Sequence, residues 1–262
     1  MVMKRYLLFS FLALFFFTGS AHALDLEGVQ PLAPYGVFST FSAESLPKGK
    51  FDVAFQFEKC RHPDFYRYTA QFGYGITDSI EFGLTVPLHN EPHNTASVED
   101  IGFALKYRFV DEGKYGPSVA FILTATAPVG SDEFSTEGSV GAGIAVTKKV
   151  GPVLGHVNVF YSKPFTDRFN DDITFAGGID FSATHAFKIL GELYGKKSYS
   201  GNVDRLEVRG GVRFLTTENL FTTFGVGWDL KNRTPEYRLM FSVSYLFPSE
   251  KKKIKDIEEM ED

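Results

Sequence analysis

The chain has 262 residues with 27 Lys and Arg against 32 Asp and Glu, a net charge of -5. The basic residues are scattered among acidic ones, so no nucleic-acid partner is expected. Aromatic residues make up 16% of the chain and 25 Gly are spread along it without a long amphipathic helical pattern, which points to an all-β fold. Cys60 is the single cysteine, so an internal disulfide is excluded.

Residues 1–23 read as a secretory signal peptide. Lys4 and Arg5 precede an apolar run from Leu7 to Phe17, and the small residues end in Ala21-His22-Ala23. Cleavage between Ala23 and Leu24 leaves no cysteine near the new terminus to carry a lipid. Residues 24–50, with Pro31, Pro34 and Pro47, are expected to be a periplasmic lead-in or a small plug, and the pattern does not choose between them.

From residue 51 to 247 the hydrophobic period is two. Phe51, Val53, Phe55 and Phe57 share one face while Asp52, Ala54, Gln56 and Glu58 share the other. Tyr66, Tyr68, Ala70, Phe72 and Tyr74 then oppose Arg67, Thr69, Gln71, Gly73 and Gly75, and Ile80, Phe82, Leu84, Val86 and Leu88 oppose Glu81, Gly83 and Thr85. Further strands are predicted near 100–109, 117–127, 138–147, 152–161, 172–182, 186–196, 204–214, 219–229 and 237–247, about twelve in all. Each is about ten residues long, the length that crosses a bilayer at a tilt of about 45°. In this phasing no strand places a charge on its apolar face, where a charge at mid-bilayer costs about 2–4 kcal/mol. The expected fold is therefore a closed antiparallel transmembrane β-barrel in a Gram-negative outer membrane, surrounded by its lipid.

Tight turns are predicted at 76–79, 110–116, 148–151, 183–185 and 215–219, with mostly longer polar loops at 60–65, 89–98, 129–137, 162–171, 197–204 and 231–235. That alternation, with an even strand count, puts both termini in the periplasm. Residues 248–262, with Lys251 to Lys253 followed by Glu258, Glu259, Glu261 and Asp262, read as a charged periplasmic tail.

The inward face is the place for function. Its lumen-lining candidates are Arg67, Glu81, Lys106, Arg108, His156, Asp180, Glu192, Arg205, Glu207, Arg209, Arg213, Asp229 and Arg238, with Lys188 among the other inward charges. A barrel of this size lies between eight strands, which side chains fill, and sixteen, which leave a channel. The candidates therefore either line a solute path or pair and fill the lumen. Arg205, Arg209 and Arg213 make a basic ladder with Arg238 across from it, favouring anionic solutes if uncompensated.

Three other chemistries have candidate residues in the sequence. His156 and Asn158 share a face, and Ser118 or Ser182 would have to supply the nucleophile of a lipid or ester hydrolase, but no G-x-S-x-G elbow is present. His89 and His93 bracket Glu91 in a loop without the fixed spacing of a zinc site, so no metal is expected. The glycines of Gly138-Ser-Val-Gly141-Ala-Gly143 lie inside an alternating strand with no helix after it, which excludes a phosphate loop, and no cofactor is expected. A structural or adhesive barrel would carry long surface loops, and these are short to moderate. The expected activity is porin-like passage or binding of small molecules.

The lead-in Leu46-Pro-Lys-Gly-Lys50, the joint Tyr74-Gly-Ile-Thr-Asp-Ser-Ile-Glu-Phe-Gly83 and the turn Thr216-Thr-Glu-Asn-Leu220 resemble the outer-membrane transporter family named for the MetA-pathway of phenol degradation. The resemblance covers most of the mature chain and implies passage of small, hydrophobic or aromatic molecules, with no binding residues to carry over. The last strand, with Tyr245 and Phe247, is also similar to the C-terminal signal read by the barrel-assembly machinery.

Overall fold

The computed structural model describes residues 29–62, 64–91, 96–131, 135–198, 203–231 and 236–248. The expected signal peptide with its Ala23 to Leu24 junction, His93, and the tail from residue 249 lie outside the described residues. Twelve long strands and one short one follow in order: β1 (Phe51–Arg61), β2 (Phe65–Gly75), β3 (Ile80–Asn90), β4 (Ser97–Val98), β5 (Ile101–Val110), β6 (Ser118–Ala127), β7 (Ser139–Val150), β8 (Val153–Pro164), β9 (Asp172–Ser182), β10 (Phe187–Ser198), β11 (Val203–Thr217), β12 (Leu220–Asp229) and β13 (Tyr237–Phe247). Each long strand pairs antiparallel with its neighbours in sequence, with two-residue β4 added to β3. Closure comes from β1 on β13, in register from Phe51↔Phe247 to Arg61↔Tyr237, so no sheet edge is left open to lipid.

The alternation of the sequence becomes the two surfaces of the wall. Outward side chains such as Phe55, Val157, Ile179, Leu193 and Trp228 are exposed, while the inward Asp52, Glu58, Arg67, Glu207 and Arg238 are buried. An exposed apolar face around a buried charged one is the inverse of a soluble fold and fits a lipid solvent. Eleven-residue strands such as β1, at about 3.3 Å per residue and tilted about 45°, match an apolar band about 25 Å tall. Outward rings reinforce the seams, with Phe51 against Phe247 at 5.7 Å and Phe187 against Phe214 at 5.1 Å. Replacing exposed Val157, near the middle of β8, with Lys is expected to cost about 2–4 kcal/mol in a refolding titration into lipid.

Several boundaries differ from the sequence reading. β7 runs to Val150 and β11 to Thr217, leaving only Gly151-Pro152 and Glu218-Asn219 as turns. Gly151 makes the first possible, because its φ of 59° is left-handed. Cys60 and His89 belong to β1 and β3 rather than to loops, and both are buried. The strands also extend far enough for their ends to carry exposed Lys59, Arg61 and Lys163, so the outward face is free of charge only away from its rims. At the rim long cations reach water and headgroups, and the cost there is small.

The β3–β5 seam is irregular. Its register slips by one residue between Thr85↔Gly102 and Leu88↔Val98, and Glu99 N–H donates to the Pro87 carbonyl at 3.1 Å. Next to the slip, Asp100 holds the β6–β7 loop. One of its oxygens accepts from Gly130 N–H at 3.1 Å and Ser135 Oγ at 2.6 Å. The other accepts from Thr136 N–H and Oγ1, both at 2.8 Å, and Gly138 N–H at 3.4 Å. Burial alone would raise this carboxyl, but the Ser135, Thr136 and Gly130 donors outweigh it and hold the carboxyl below its ordinary value. A depressed folded-state pKa contributes stability above the unfolded value of about 3.9 and loses it as pH falls through the folded value. Protease resistance of this loop should hold at neutral pH and fall below about pH 4, and Asp100→Ala should remove it at every pH.

Candidate channel lumen

Inside the barrel the charges join into a belt. Glu99 accepts from Arg67 Nε at 2.7 Å, and Arg67 lies 3.7 Å from Glu58. Arg238 donates to Glu58 and to Glu207, both at 3.1 Å. Glu207 also takes Arg205 at 2.5 Å and Arg209 at 2.7 Å, and Arg209 reaches Glu192 at 3.1 Å. The belt therefore crosses β2, β1, β13, β11 and β10, with Glu99 entering from the β4–β5 junction. β12 lets Arg238 pass to Glu207 because it presents Gly227 there, where an added Cβ would lie 3.0 Å from Arg238 Cγ and 3.2 Å from Arg209 Cγ. Four guanidinium groups meet four carboxylates, so Arg205, Arg209 and Arg238 are compensated and their preference for anions does not follow.

Most of the other candidates fall into smaller groups on the same inner surface. Lys106 pairs with Glu81 at 3.1 Å, and Lys188 with Asp180 at 2.8 Å, with Arg213 4.0 Å from Asp180. Arg108 binds Glu44 and lies 2.9 Å from Asp111. Asp229 is half-buried at the end of β12, opposite Glu207 in register, and accepts from Lys231 N–H at 3.2 Å. The belt's Glu58 lies on the inward face by its alternation but is not among the lumen candidates that the sequence picks out. Glu99 carried no signal, because the register slip that turns it inward is not written in a local pattern.

Residues 29–46 lie within the barrel, and Pro47 to Lys50 run along its rim into β1, where Lys48 N–H donates to Asp78 at 3.0 Å. Gly36 bridges Phe41 and Val37 N–H donates to the Thr40 carbonyl, making a small hairpin. Its tip is bound by Glu192, which accepts from Ser39 N–H at 2.7 Å and from Thr40 N–H and Oγ1, both at 2.8 Å. Asn158 clasps Phe41 by accepting its N–H at 2.6 Å and donating to its carbonyl at 2.9 Å. Thr147 Oγ1 accepts Ala43 N–H at 2.8 Å, Glu81 accepts Leu46 N–H at 2.7 Å, and Arg213 donates to the Gly36 carbonyl at 2.9 Å. Inward glycines leave the room for this. A Cβ on Gly73 would lie 2.3 Å from Leu32, one on Gly178 3.0 Å from Val37, and one on Gly225 2.3 Å from Phe38.

The segment packs closely against the wall. A cavity of about 30 Å³ remains beside Phe38, Gln71 and Arg213, and one of about 20 Å³ beside Leu32, Phe41 and Lys106. These hold a water or two.

His156 is buried and its Nδ1 lies 2.9 Å from Thr147 Oγ1. Ser118 Oγ donates to the Thr147 carbonyl at 3.2 Å, and Ser182 is exposed at the end of β9. Thus neither serine is hydrogen-bonded to His156 as a nucleophile to its base. His89 stacks on Phe65 at 4.6 Å and lies 3.4 Å from Glu99. Among the described residues no group of three His, Cys, Asp or Glu is placed to hold a metal.

The barrel is similar to solved outer-membrane porins and channels. The KdgM porin superposes with a TM-score of 0.60 at 12% identity, covering 75% of this chain and 99% of that one. The NanC porin gives 0.57 at 8%, covering 76% and 99%. The COG4313 outer membrane channel from Pseudomonas putida F1 gives 0.55 at 14%, covering 78% and 98%. At these identities the likeness is one of fold, and it is the fold of Gram-negative outer-membrane barrels. No curated protein matches the sequence. The family described as "Putative MetA-pathway of phenol degradation" matches residues 37–247, from the tip of the lumen hairpin to the last residue of β13, and the chain belongs to that family.

Proposed function

We propose that this barrel passes small molecules across the outer membrane through its lumen, and that residues 29–46 are the plug that closes it. The observation that carries this is the kind of contact the hairpin makes. The bonds from Gly36 to Leu46 run between its backbone and the side chains of Arg213, Glu192, Asn158, Thr147 and Glu81. None of them belongs to the ladder that closes the wall, so the plug can leave while the barrel stays intact.

The inner surface it would expose is polar and charged, as an aqueous path requires, and family membership agrees with passage. A non-enzymatic role is supported by the partners of His156 and Asn158, which bind a threonine hydroxyl and the plug backbone. Short turns at the end that holds Phe51 and Phe247 support periplasmic termini. Removal of residues 1–23 on export, a solvated tail after residue 248, and recognition of β13 by the barrel-assembly machinery through Tyr245 and Phe247 complete the reading.

Planar-bilayer recording tests it. A chain lacking residues 29–46 should give larger conductance steps than the full chain. A folded barrel without that segment that carries neither current nor solute would overturn the proposal.

A further inference from the structure

The plug occupies its seat as a bound ligand would, and the seat has a definite chemistry. Phe41 is buried with Ala43 of the plug among Ala104, Ala120, Ile122 and Ala145 of the wall, and its ring lies 5.5 Å from that of Phe160. Four adjacent strands, β5 to β8, supply this cup, and their small side chains make it deep enough for one ring. At its edge Asn158, 1% exposed, spends its carbonyl oxygen and its NH2 on the N–H and C=O of one residue. A ring pocket beside a paired donor and acceptor is the recognition pattern for an aromatic amide.

Emptying the lumen sharpens the point. Once the plug leaves, Asn158 loses both of its partners on Phe41, whereas Glu192 keeps Arg209 and Thr147 keeps His156. Water takes the plug's place at Asn158, and a solute that pairs with both of its groups displaces that water at little cost. A solute with an N–H and a C=O next to an aromatic ring restores both the pairing and the apolar contact. A solute with only one of the two features restores half.

We infer that the wall of β5 to β8 with Asn158 is a binding site for small aromatic amides, that Phe41 is its internal placeholder, and that such a solute competes with the plug. The inference rests on the plug reading and names the solute class for the same lumen.

The test is calorimetric titration of the full chain in detergent, folded as judged by heat-modifiable migration, with N-acetyl-L-phenylalaninamide. Phe41→Ala weakens the plug's hold on its own seat, so the probe should bind that variant at least about ten-fold tighter than the unsubstituted chain. Adding Asn158→Leu should abolish the gain. N-acetylglycinamide, which lacks the ring, and toluene, which lacks the amide, should each bind much more weakly. Equal binding to both chains, indifference to Asn158→Leu, or toluene binding as well as the amide would overturn the inference. If the plug-lacking chain conducts while the titration is flat, this inference falls and the channel stands. If the probe binds as expected but no chain conducts, the channel reading falls and takes with it the competition for passage.

Discussion

Arg238→Met should lower the stability of the folded barrel by about 3–5 kcal/mol, read as a shift in the urea midpoint in lipid or detergent. Arg238 is fully buried and donates to Glu58 on one side and Glu207 on the other. Removing the cation leaves two carboxylates with fewer partners in a lumen of low polarisability. Breaking one member of a buried pair is far more costly than never having built it. The same substitution gives the belt a net negative charge, so current through the opened barrel should shift toward cations in a reversal-potential measurement. An unchanged midpoint would mean that the belt is hydrated and its members act independently.

The second large effect concerns the plug. Gly225→Leu puts a Cβ 2.3 Å from Phe38 Cε1, 2.7 Å from Phe38 Cζ and 3.1 Å from Met240 Cε. Overpacking of this kind costs about 1–3 kcal/mol, and the plug, bound by side chains, yields more easily than the ladder of β12. A shift of that size multiplies the released population by about 5- to 150-fold. Protease cleavage within residues 29–50 and open-channel time should rise together. Gly210→Leu is the control, because nothing lies within 4 Å of the Cβ it adds. If both variants behave like the unsubstituted chain, the plug is not held against Gly225.

What could be read in advance was whatever is local along a strand. The alternation of Phe51 to Glu58, and of Tyr237 to Phe247, fixes which side chains meet lipid, because period two leaves no other phase once charge is excluded from one face. Turns followed from Gly151 and from Glu218-Asn219, although the strands ran further into them than expected.

Pairing between strands was another matter. Whether Arg205, Arg209 and Arg213 form a compensated ladder stays open in the sequence, because Glu192 comes from β10 and Asp180 from β9, with Glu207 alone on β11 itself, between Arg205 and Arg209. Glu207 is two residues from Arg205 and from Arg209 on the same face and is legible locally, whereas register is what brings Glu192 and Asp180 to these arginines. The hairpin at residues 36–41 was illegible for the same reason. It has no repeat of its own, and its partners lie far away in sequence, 152 residues on in the case of Thr40 and Glu192.

The most direct test of a lumen closed by its own N-terminal segment is to lock that segment. A Cβ at position 178 would lie 3.2 Å from the Cβ of Val37, a few tenths of an ångström inside the separation of about 3.5–4.5 Å that a disulfide spans. Solute uptake should therefore be measured in liposomes carrying the Val37→Cys, Gly178→Cys chain, first oxidised and then reduced. The account predicts uptake abolished by oxidation and restored by reduction. Equal uptake in the two states, with the cross-link verified, would contradict it.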